Sequence, residues 1–247
     1  MSGETNHKGK VALVTGANKG IGFEVSRQLA MRGMTVLMGA RNPQLGDEAA
    51  AKLGAEGLSV KALELDVTRP ETIASAAAAI EKEYGRLDVL VNNAGIVDQA
   101  DGPPGKANID AVRRVIEVNF HGPLQVTQAL LPLLRKAEAA RIVNVSSGLG
   151  SLTLNADPAW PFAEYKFMGY NGSKALLNMM TVQLAYELRD TKIKVNAVNP
   201  GYTATDMNAN SGTQTVAEGS EEIVRQATSG EDGTTGVFSS REGVDPW

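Results

Sequence analysis

The feature that most restricts this chain is an alternation. Short runs rich in branched apolar residues recur along it: VALVT (11–15), TVLMG (35–39), SVKALEL (59–65), DVLVN (88–92), RIVNVS (141–146) and KVNAVN (194–199). Between them lie segments with helical spacing of apolar residues, such as Ile21, Val25 and Leu29, then Ile73, Ala77 and Ile80. Strands that are apolar on both sides need cover on both faces, and parallel neighbours need a crossover helix. The expectation is an α/β chain: a doubly wound, mostly parallel sheet of about seven strands with helices on both faces. In such sheets ligands bind beyond the carboxyl ends of the strands, so chemistry should reside in the residues that follow each run.

No internal repeat and no linker interrupts the 247 residues, so residues 1–247 are expected to form one catalytic domain. The one shift in composition follows Met207, where NANSGTQTVAEGSEE and TSGEDGTTG are polar, Gly-rich and poor in apolar anchors. Residues 206–236 are therefore expected to form a flexible flap. A net charge of −4 without basic clusters argues against a nucleic-acid partner, and no apolar run approaches the roughly 20 residues that span a bilayer. The partner should be a small molecule. The chain has no cysteine, which excludes a disulfide framework, a thiolate nucleophile and cysteine-ligated zinc. Its two histidines are a poor supply for metal binding, and no metal is expected. His7 lies in the polar leader MSGETNHKGK and is expected to be solvated, and His121 to be an ordinary helix or loop residue. The leader lacks the apolar centre of a secretory signal, so the expected location is the cytoplasm.

The first run leads into Gly16-Ala17-Asn18-Lys19-Gly20-Ile21-Gly22, after which Phe23 to Arg32 reads as a helix. Glycines where a strand turns into a helix let main chain approach a pyrophosphate, and the unpaired amides at the helix start attract its charge. The spacing differs from G-x-G-x-x-G, with three residues between the first two glycines and one between the last two.

Read as TGANKGIG, Thr15 to Gly22 resembles the cofactor motif of the short-chain dehydrogenase/reductase family. Further matches follow in order: Asn92-Asn93-Ala94-Gly95 after the fourth strand, a lone Asn119, then Ser147, then Tyr170 and Lys174 as a YxxxK pair, and Pro200-Gly201 after the sixth strand. The resemblance spans residues 11–207 and implies a Rossmann-type fold binding a nicotinamide cofactor, with Asn93, Ala94, Gly95, Pro200, Gly201 and main-chain atoms of Thr203 lining its site. Thr205 matches a threonine that holds the carboxamide, and Asp66-Val67 the pair that contacts adenine; Asp66 could instead be a helix cap.

The end of the second strand, Gly39-Ala40-Arg41, carries no carboxylate to bond a ribose 2′-hydroxyl. By resemblance, Arg41 and Lys19 match the two basic positions of NADPH-preferring members, so NADP(H) is the expected cofactor.

Two tyrosines stand close together in EYKFMGYNGSKA (164–175). Residues four apart on a helix share a face, which pairs Tyr170 with Lys174, whereas Tyr165 has Gly169 at that offset. A free phenol has a pKa of about 10. The Lys174 ammonium, with the charge of an oxidised nicotinamide, is expected to lower it and make Tyr170 the acid. The resemblance also gives Lys174 a hydrogen bond to the nicotinamide ribose, and Asn119 a water that resupplies protons. Ser147, rather than Ser146, is expected to hold the substrate carbonyl oxygen, since adjacent strand residues face opposite ways and the family pattern matches the second of the pair.

Between Ser147 and Tyr170 lie 22 residues, more than in common members of the family. Residues 148–169 read as a substrate-loop insertion of the carbonyl reductase branch, and its Trp160, Phe162, Tyr165 and Phe167 suit an apolar ketone or aldehyde. The leading expectation is an NADPH-dependent carbonyl reductase. A 3-ketoacyl reductase and a non-catalytic cofactor-sensing regulator are the alternatives. Monomer and homo-oligomer both remain open, since Met179, Met180 and Leu184 could pack a partner.

Overall fold

The computed structural model describes residues 7–247, so the MSGETN part of the leader lies outside the described residues. The elements follow in order: β1 (Val11–Thr15), α1 (Gly20–Met31), β2 (Thr35–Ala40), α2 (Pro43–Ala55), β3 (Val60–Glu64), α3 (Pro70–Tyr84), β4 (Val89–Asn92), α4 (Ile109–Ile116), a π-turn (Glu117–His121) and α5 (Gly122–Leu134). Then come β5 (Arg141–Val145), α6 (Leu152–Ala156), α7 (Met168–Glu187), β6 (Lys194–Val198), α8 (Val216–Ala227), β7 (Phe238–Ser240) and β8 (Gly243–Val244).

The strands form one sheet in the order β3-β2-β1-β4-β5-β6-β7-β8. The pairs from β3 through β7 are parallel, and β8 returns antiparallel on β7. This is the expected Rossmann-like sheet with an eighth, two-residue strand added at the edge. The order reverses between β1 and β4, and the two crossovers leaving that point diverge to open a cleft at their carboxyl ends.

Strand alternation divides the core. Val11 and Leu13 point to one face, where they meet Ile73, Ile80, Val126 and Leu130 of α3 and α5. Ala12 and Val14 point to the other, against Val25 and Leu29 of α1, Leu53 of α2, and Ile223 and Val224 of α8. All five β1 residues are buried, which is why its sequence shows no polar alternation. Local signals set the helix ends. Asn42 caps α2 by accepting from the Leu45 amide at 3.1 Å, and Gly85 closes α3 in the left-handed region at φ 72°.

Two expectations need correction. Residues 216–227, within the segment expected to be a flap, form α8, whose Ile223, Val224 and Ala227 are at most 2% exposed. Those anchors recur at helical spacing, and Thr215 with Glu218 caps the helix reciprocally, so a polar composition concealed an amphipathic helix. His7 is buried, not solvated: its amide bonds the Arg32 carbonyl at 3.2 Å. Burial, then the charges of Lys10, Arg32 and Arg141, lower its pKa. His121 closes the π-turn and pairs with Glu117 at 2.7 Å. Of the three residues considered for assembly, Met179 is exposed, Met180 is buried and Leu184 packs on the core. No helix among the described residues is long and apolar enough to cross a membrane, and no cluster among them could hold a metal ion.

Candidate active site

The β1–α1 turn is shaped by what its glycines exclude. Gly16 has φ +64°, and a Cβ there would stand 2.9 Å from the Ala94 Cα. A Cβ on Gly22 would stand 2.5 Å from Asn93 Nδ2 and 2.6 Å from the Gly16 carbonyl oxygen. The space is taken by a clasp. Asn93 Nδ2 donates to the carbonyls of Thr15 and Gly16 at 2.8 and 3.2 Å, while the amides of Asn93 and Ala94 both donate to Thr15 Oγ1 at 3.0 Å. The NNAG segment and the glycine turn are therefore one unit across the switch point. Lys19 does not cap α1 with its side chain, so the first-turn amides that follow Asn18 and Lys19, Ile21 among them, have no side-chain partner and are free to attract an anion. These residues fit a dinucleotide's pyrophosphate.

On the rim, Lys19 Nζ lies 2.8 Å from Asp206, which follows Thr205 on the loop after β6, and both side chains are 65% exposed. A Cβ on Gly20 would approach Thr205 Cγ2 at 3.7 Å, so Thr205 faces the glycine turn across the cleft. Thr203 is buried, its hydroxyl donating to the Pro200 carbonyl and its main-chain amide and carbonyl bonded to the Gly201 carbonyl and Asn208 Nδ2. Gly201 takes φ +73°. Arg41 is exposed just beyond β2. Asp66 Oδ1 accepts from the Thr68 amide and hydroxyl at 3.0 and 2.7 Å in a local turn ahead of α3; the N-cap of that helix is Arg69, so Asp66 is not its cap, and Val67 is buried against Gly122.

Strand β5 ends in two serines with opposite fates. Ser146 turns inward and donates to Asn178 Oδ1 of α7 at 2.6 Å. Ser147 faces the cleft, where its hydroxyl is hydrogen-bonded to Tyr170 and accepts from the Leu149 amide at 3.2 Å. Tyr170 and Lys174 share one face of α7, with the lysine Nζ 5.7 Å from the tyrosine ring centroid. Tyr165 precedes α7 and is 43% exposed, and the adjacent Lys166 is engaged with the Asn155 carbonyl. Lys174 Nζ donates to the Val145 carbonyl at 2.8 Å, and a Cβ on Gly95 would approach that amine at 3.7 Å. Asn119 is fully buried in the π-turn. It exchanges hydrogen bonds with the Ile96 main chain at 2.8 and 2.9 Å and donates to Ser173 Oγ at 3.1 Å.

Without the charge of a nicotinamide, the protein groups alone set the electrostatics. Tyr170 keeps some exposed surface but sits deep enough that burial raises its pKa, against the smaller opposing effect of the Ser147 hydrogen bond. Burial lowers Lys174 to about 8. Protein groups alone do not make this phenol more acidic, because removing the phenol from solvent outweighs the opposing hydrogen bond of Ser147.

Residues 1–9 and the tail apart, the order of these motifs is that of a known family: residues 10–215 match the short chain dehydrogenase family model. This chain belongs to the short-chain dehydrogenase family. It is 32% identical to a (+)-neomenthol dehydrogenase of Capsicum annuum, with 95% of this chain and 96% of the relative covered. It is also 32% identical to salutaridine reductase of Papaver somniferum, with 94% of each covered. Among solved structures, an NADPH-bound carbonyl reductase from chicken fatty liver superposes with a TM-score of 0.85 at 29% identity, covering 97% of this chain and 100% of the other. As a member of the family, the chain is an oxidoreductase.

In this short-chain dehydrogenase the insertion is partly ordered by its own residues. Ser151 caps α6 through the Leu154 amide, and the Thr153 amide donates to the carbonyl of the terminal Trp247. Its aromatics form a connected ridge: Trp160 to Phe162 at 5.4 Å, Phe162 to Tyr165 at 5.9 Å, and Phe162 to Tyr202 of the post-β6 loop at 5.7 Å. The Trp160 ring lies over Gly148, beside Ser147. Tyr165 and Phe167, 6.3 Å apart, also line a hollow of about 700 Å³ facing Asp101–Pro103.

Sequence reasoning missed Asn144 and Asn178. Asn144 accepts from Asn92 Nδ2 at 2.9 Å and donates to Thr181 Oγ1 at 2.9 Å, a buried polar ladder joining β4, β5 and α7. Asparagines inside apolar strands were the available signal, because a buried amide needs a partner.

Proposed function

We propose that this oxidoreductase is an NADPH-dependent carbonyl reductase that reduces apolar or aromatic ketones and aldehydes to alcohols. The observation that carries the proposal is the convergence of Ser147, Tyr170 and Lys174 at the carboxyl end of β5, across the cleft from the glycine turn. The amides of Gly16–Gly22 would hold the pyrophosphate, Arg41 and Lys19 the 2′-phosphate, Lys174 the nicotinamide ribose, and Thr205 the carboxamide. NADPH, when bound, supplies the hydride.

The remaining chemistry belongs to the chain's own residues. Ser147 and Tyr170 together offer two hydroxyl donors to one carbonyl oxygen, fixing its position and polarising it. A phenol whose pKa is raised by burial stays protonated through neutrality, so Tyr170 is loaded to donate its proton to that oxygen. Lys174, close beneath the ring, stabilises the phenolate left behind, and Asn119 holds the adjoining turn through Ser173 and Ile96. Trp160 and Phe162 supply an apolar wall beside Ser147, which suits an apolar carbonyl substrate, and the relatives include proteins named neomenthol dehydrogenase and salutaridine reductase.

The testing experiment follows reduced-nicotinamide absorbance with aromatic ketones, keto esters and quinones. Consumption of NADPH with at least one of these is expected; tight NADPH binding without consumption across the panel would support a cofactor-sensing regulator instead.

Two further outcomes are expected. The directions of Tyr170 and Lys174 give opposite pH trends for the two reactions. Reduction, which uses the phenol and a charged lysine, should hold below pH 8 and decline above it, as Lys174 discharges near its pKa of about 8. Alcohol oxidation, which needs the phenolate, should rise from neutral to alkaline pH. Initial rates in both directions rising together with pH would contradict this assignment. For the cofactor, Arg41→Asp should raise the NADPH dissociation constant about tenfold or more by setting a carboxylate against the 2′-phosphate, with NADH binding retained. Equal weakening of both cofactors in a fluorescence titration would remove Arg41 from the phosphate site. Lys19 must leave Asp206 to reach the same phosphate, a small demand for an ion pair so exposed.

A further inference from the structure

The start of α7 presents an unusual arrangement. Its first three residues are Met168, Gly169 and Tyr170, whose amides have no partner within the helix. Phe167, the residue before them, has no side chain able to cap. All three amides are instead taken by two adjacent residues of the β4–α4 loop: Met168 N–H donates to the Gly102 carbonyl at 2.8 Å, Gly169 N–H to Asp101 Oδ1 at 3.0 Å, and Tyr170 N–H to Asp101 Oδ2 at 2.8 Å. Asp101 Oδ1 also accepts from the Gly102 amide at 2.8 Å, which fixes the carboxylate's rotation. A Cβ on Gly169 would stand 2.9 Å from Asp101 Oδ2 and 3.0 Å from the Val112 Cα of α4, so glycine is what permits the close approach.

We propose that Asp101 is a positioning residue for Tyr170, a carboxylate clamp that fixes the tyrosine's main chain to the loop leaving the Asn93–Gly95 segment. The inference rests on the assignment of Tyr170 as proton donor. The physical case has three parts. The bonds are charge-assisted and bidentate, so they set direction as well as distance. A carboxylate at a helix N-terminus also opposes the positive end of the helix dipole. And the loop that carries Asp101 begins at Gly95, close to the Lys174 amine and to Asn119 Oδ1, so the clamp ties the tyrosine to the same segment that borders the cofactor cleft. Misplacement of a reacting group by about 1 Å can cost on the order of a hundredfold in rate.

The test compares Asp101→Ala, Asp101→Asn and Asp98→Ala with the wild-type protein. Asp98 lies on the same loop; its side chain braces that loop through Arg114 and the Ala100 amide and makes no bond to α7, and its main-chain carbonyl, which accepts the Asp101 amide at 3.0 Å, is kept in the alanine variant. Asp101→Ala should lower kcat about tenfold to a hundredfold, with KM and the NADPH dissociation constant changed by less than about threefold. Asp101→Asn, which keeps one acceptor oxygen, should recover part of that loss, and Asp98→Ala should keep kcat. Hydrogen exchange supplies a readout independent of turnover: the Gly169 and Tyr170 amides should lose protection in Asp101→Ala while the middle of α7 keeps it. Wild-type kcat in folded Asp101→Ala would overturn the proposal, as would an equal loss in Asp98→Ala. If the wild-type protein turns over no carbonyl substrate, the assignment of Tyr170 fails separately. The clamp is then decided by exchange, and unchanged protection at Gly169 and Tyr170 overturns it.

Discussion

Tyr170→Phe is expected to lower carbonyl-reducing turnover by about a thousandfold, within the range that a general acid contributes, while NADPH binds as tightly as before. The substitution removes only the hydroxyl. The ring can keep its place on α7 beside Lys174, and the glycine turn, the NNAG clasp and the post-β6 loop are untouched. What is lost is the proton and one of the two donors aimed at the carbonyl oxygen, which leaves Ser147 to polarise it alone. Tyr165→Phe provides the control, because Tyr165 lies outside α7, is exposed, and lines the hollow facing Asp101–Pro103. It should keep kcat within about twofold. Single-turnover kinetics on the two variants would separate them, and a Tyr170→Phe enzyme that retained normal turnover would remove the tyrosine from the chemistry.

Gly22→Ala should be nearly as damaging by a different route. Its methyl would fall 2.5 Å from Asn93 Nδ2 and 2.6 Å from the Gly16 carbonyl oxygen. The amide side chain can swing away, but only by giving up its bonds to the Thr15 and Gly16 carbonyls; the carbonyl belongs to main chain and can move only with the turn. Overpacking of this kind costs about 1–3 kcal/mol, and in a chain of this size that lowers Tm by several degrees. The same movement spoils the cradle, so the NADPH dissociation constant should rise by more than about tenfold. Calorimetry and a binding titration would register both effects. Gly54→Ala is the reference, since nothing stands within 4 Å of a Cβ there and it belongs to an exposed helix turn. Similar Tm and affinity in Gly22→Ala would mean that the clasp has slack which the contacts do not suggest.

How much was legible in advance depended on whether the signal was local. The six parallel strands first read from the sequence all appear: five as apolar runs that are covered on both faces and carry their own signature, and β3, a partly buried strand at the sheet edge, from its Val60, Ala62 and Leu63. The glycine turn and the Tyr170–Lys174 pair were readable for a similar reason, each being a short stretch whose spacing implies a backbone shape or a shared helix face, whereas the NNAG segment was read from its resemblance to the family's motif. Helix α8 was not readable, since glycine, threonine and glutamate dominate its composition while Ile223, Val224 and Ala227 do the packing. The buried state of His7 escaped notice because it depends on the chain meeting the end of α1, where the Arg32 carbonyl, remote in sequence, accepts the His7 amide. The upward shift that protein groups alone give Tyr170 was not legible either: a motif shows which charge is near, but not how much solvent is removed from both partners.

From its order of residues alone, the chain determined its strand–helix alternation, the turn conformations its glycines allow, and which groups could do chemistry, since these follow from backbone sterics, periodicity and side-chain type. Only the tertiary structure decided which of those groups meet. It turned Ser146 into α7 and left Ser147 beside Tyr170, paired Lys19 with Asp206 across the cleft, and brought Asp101 from a distant loop to the amides of Gly169 and Tyr170. Contacts between segments separated by tens of residues are set by how layers pack and how main-chain donors find acceptors, and no local pattern encodes them.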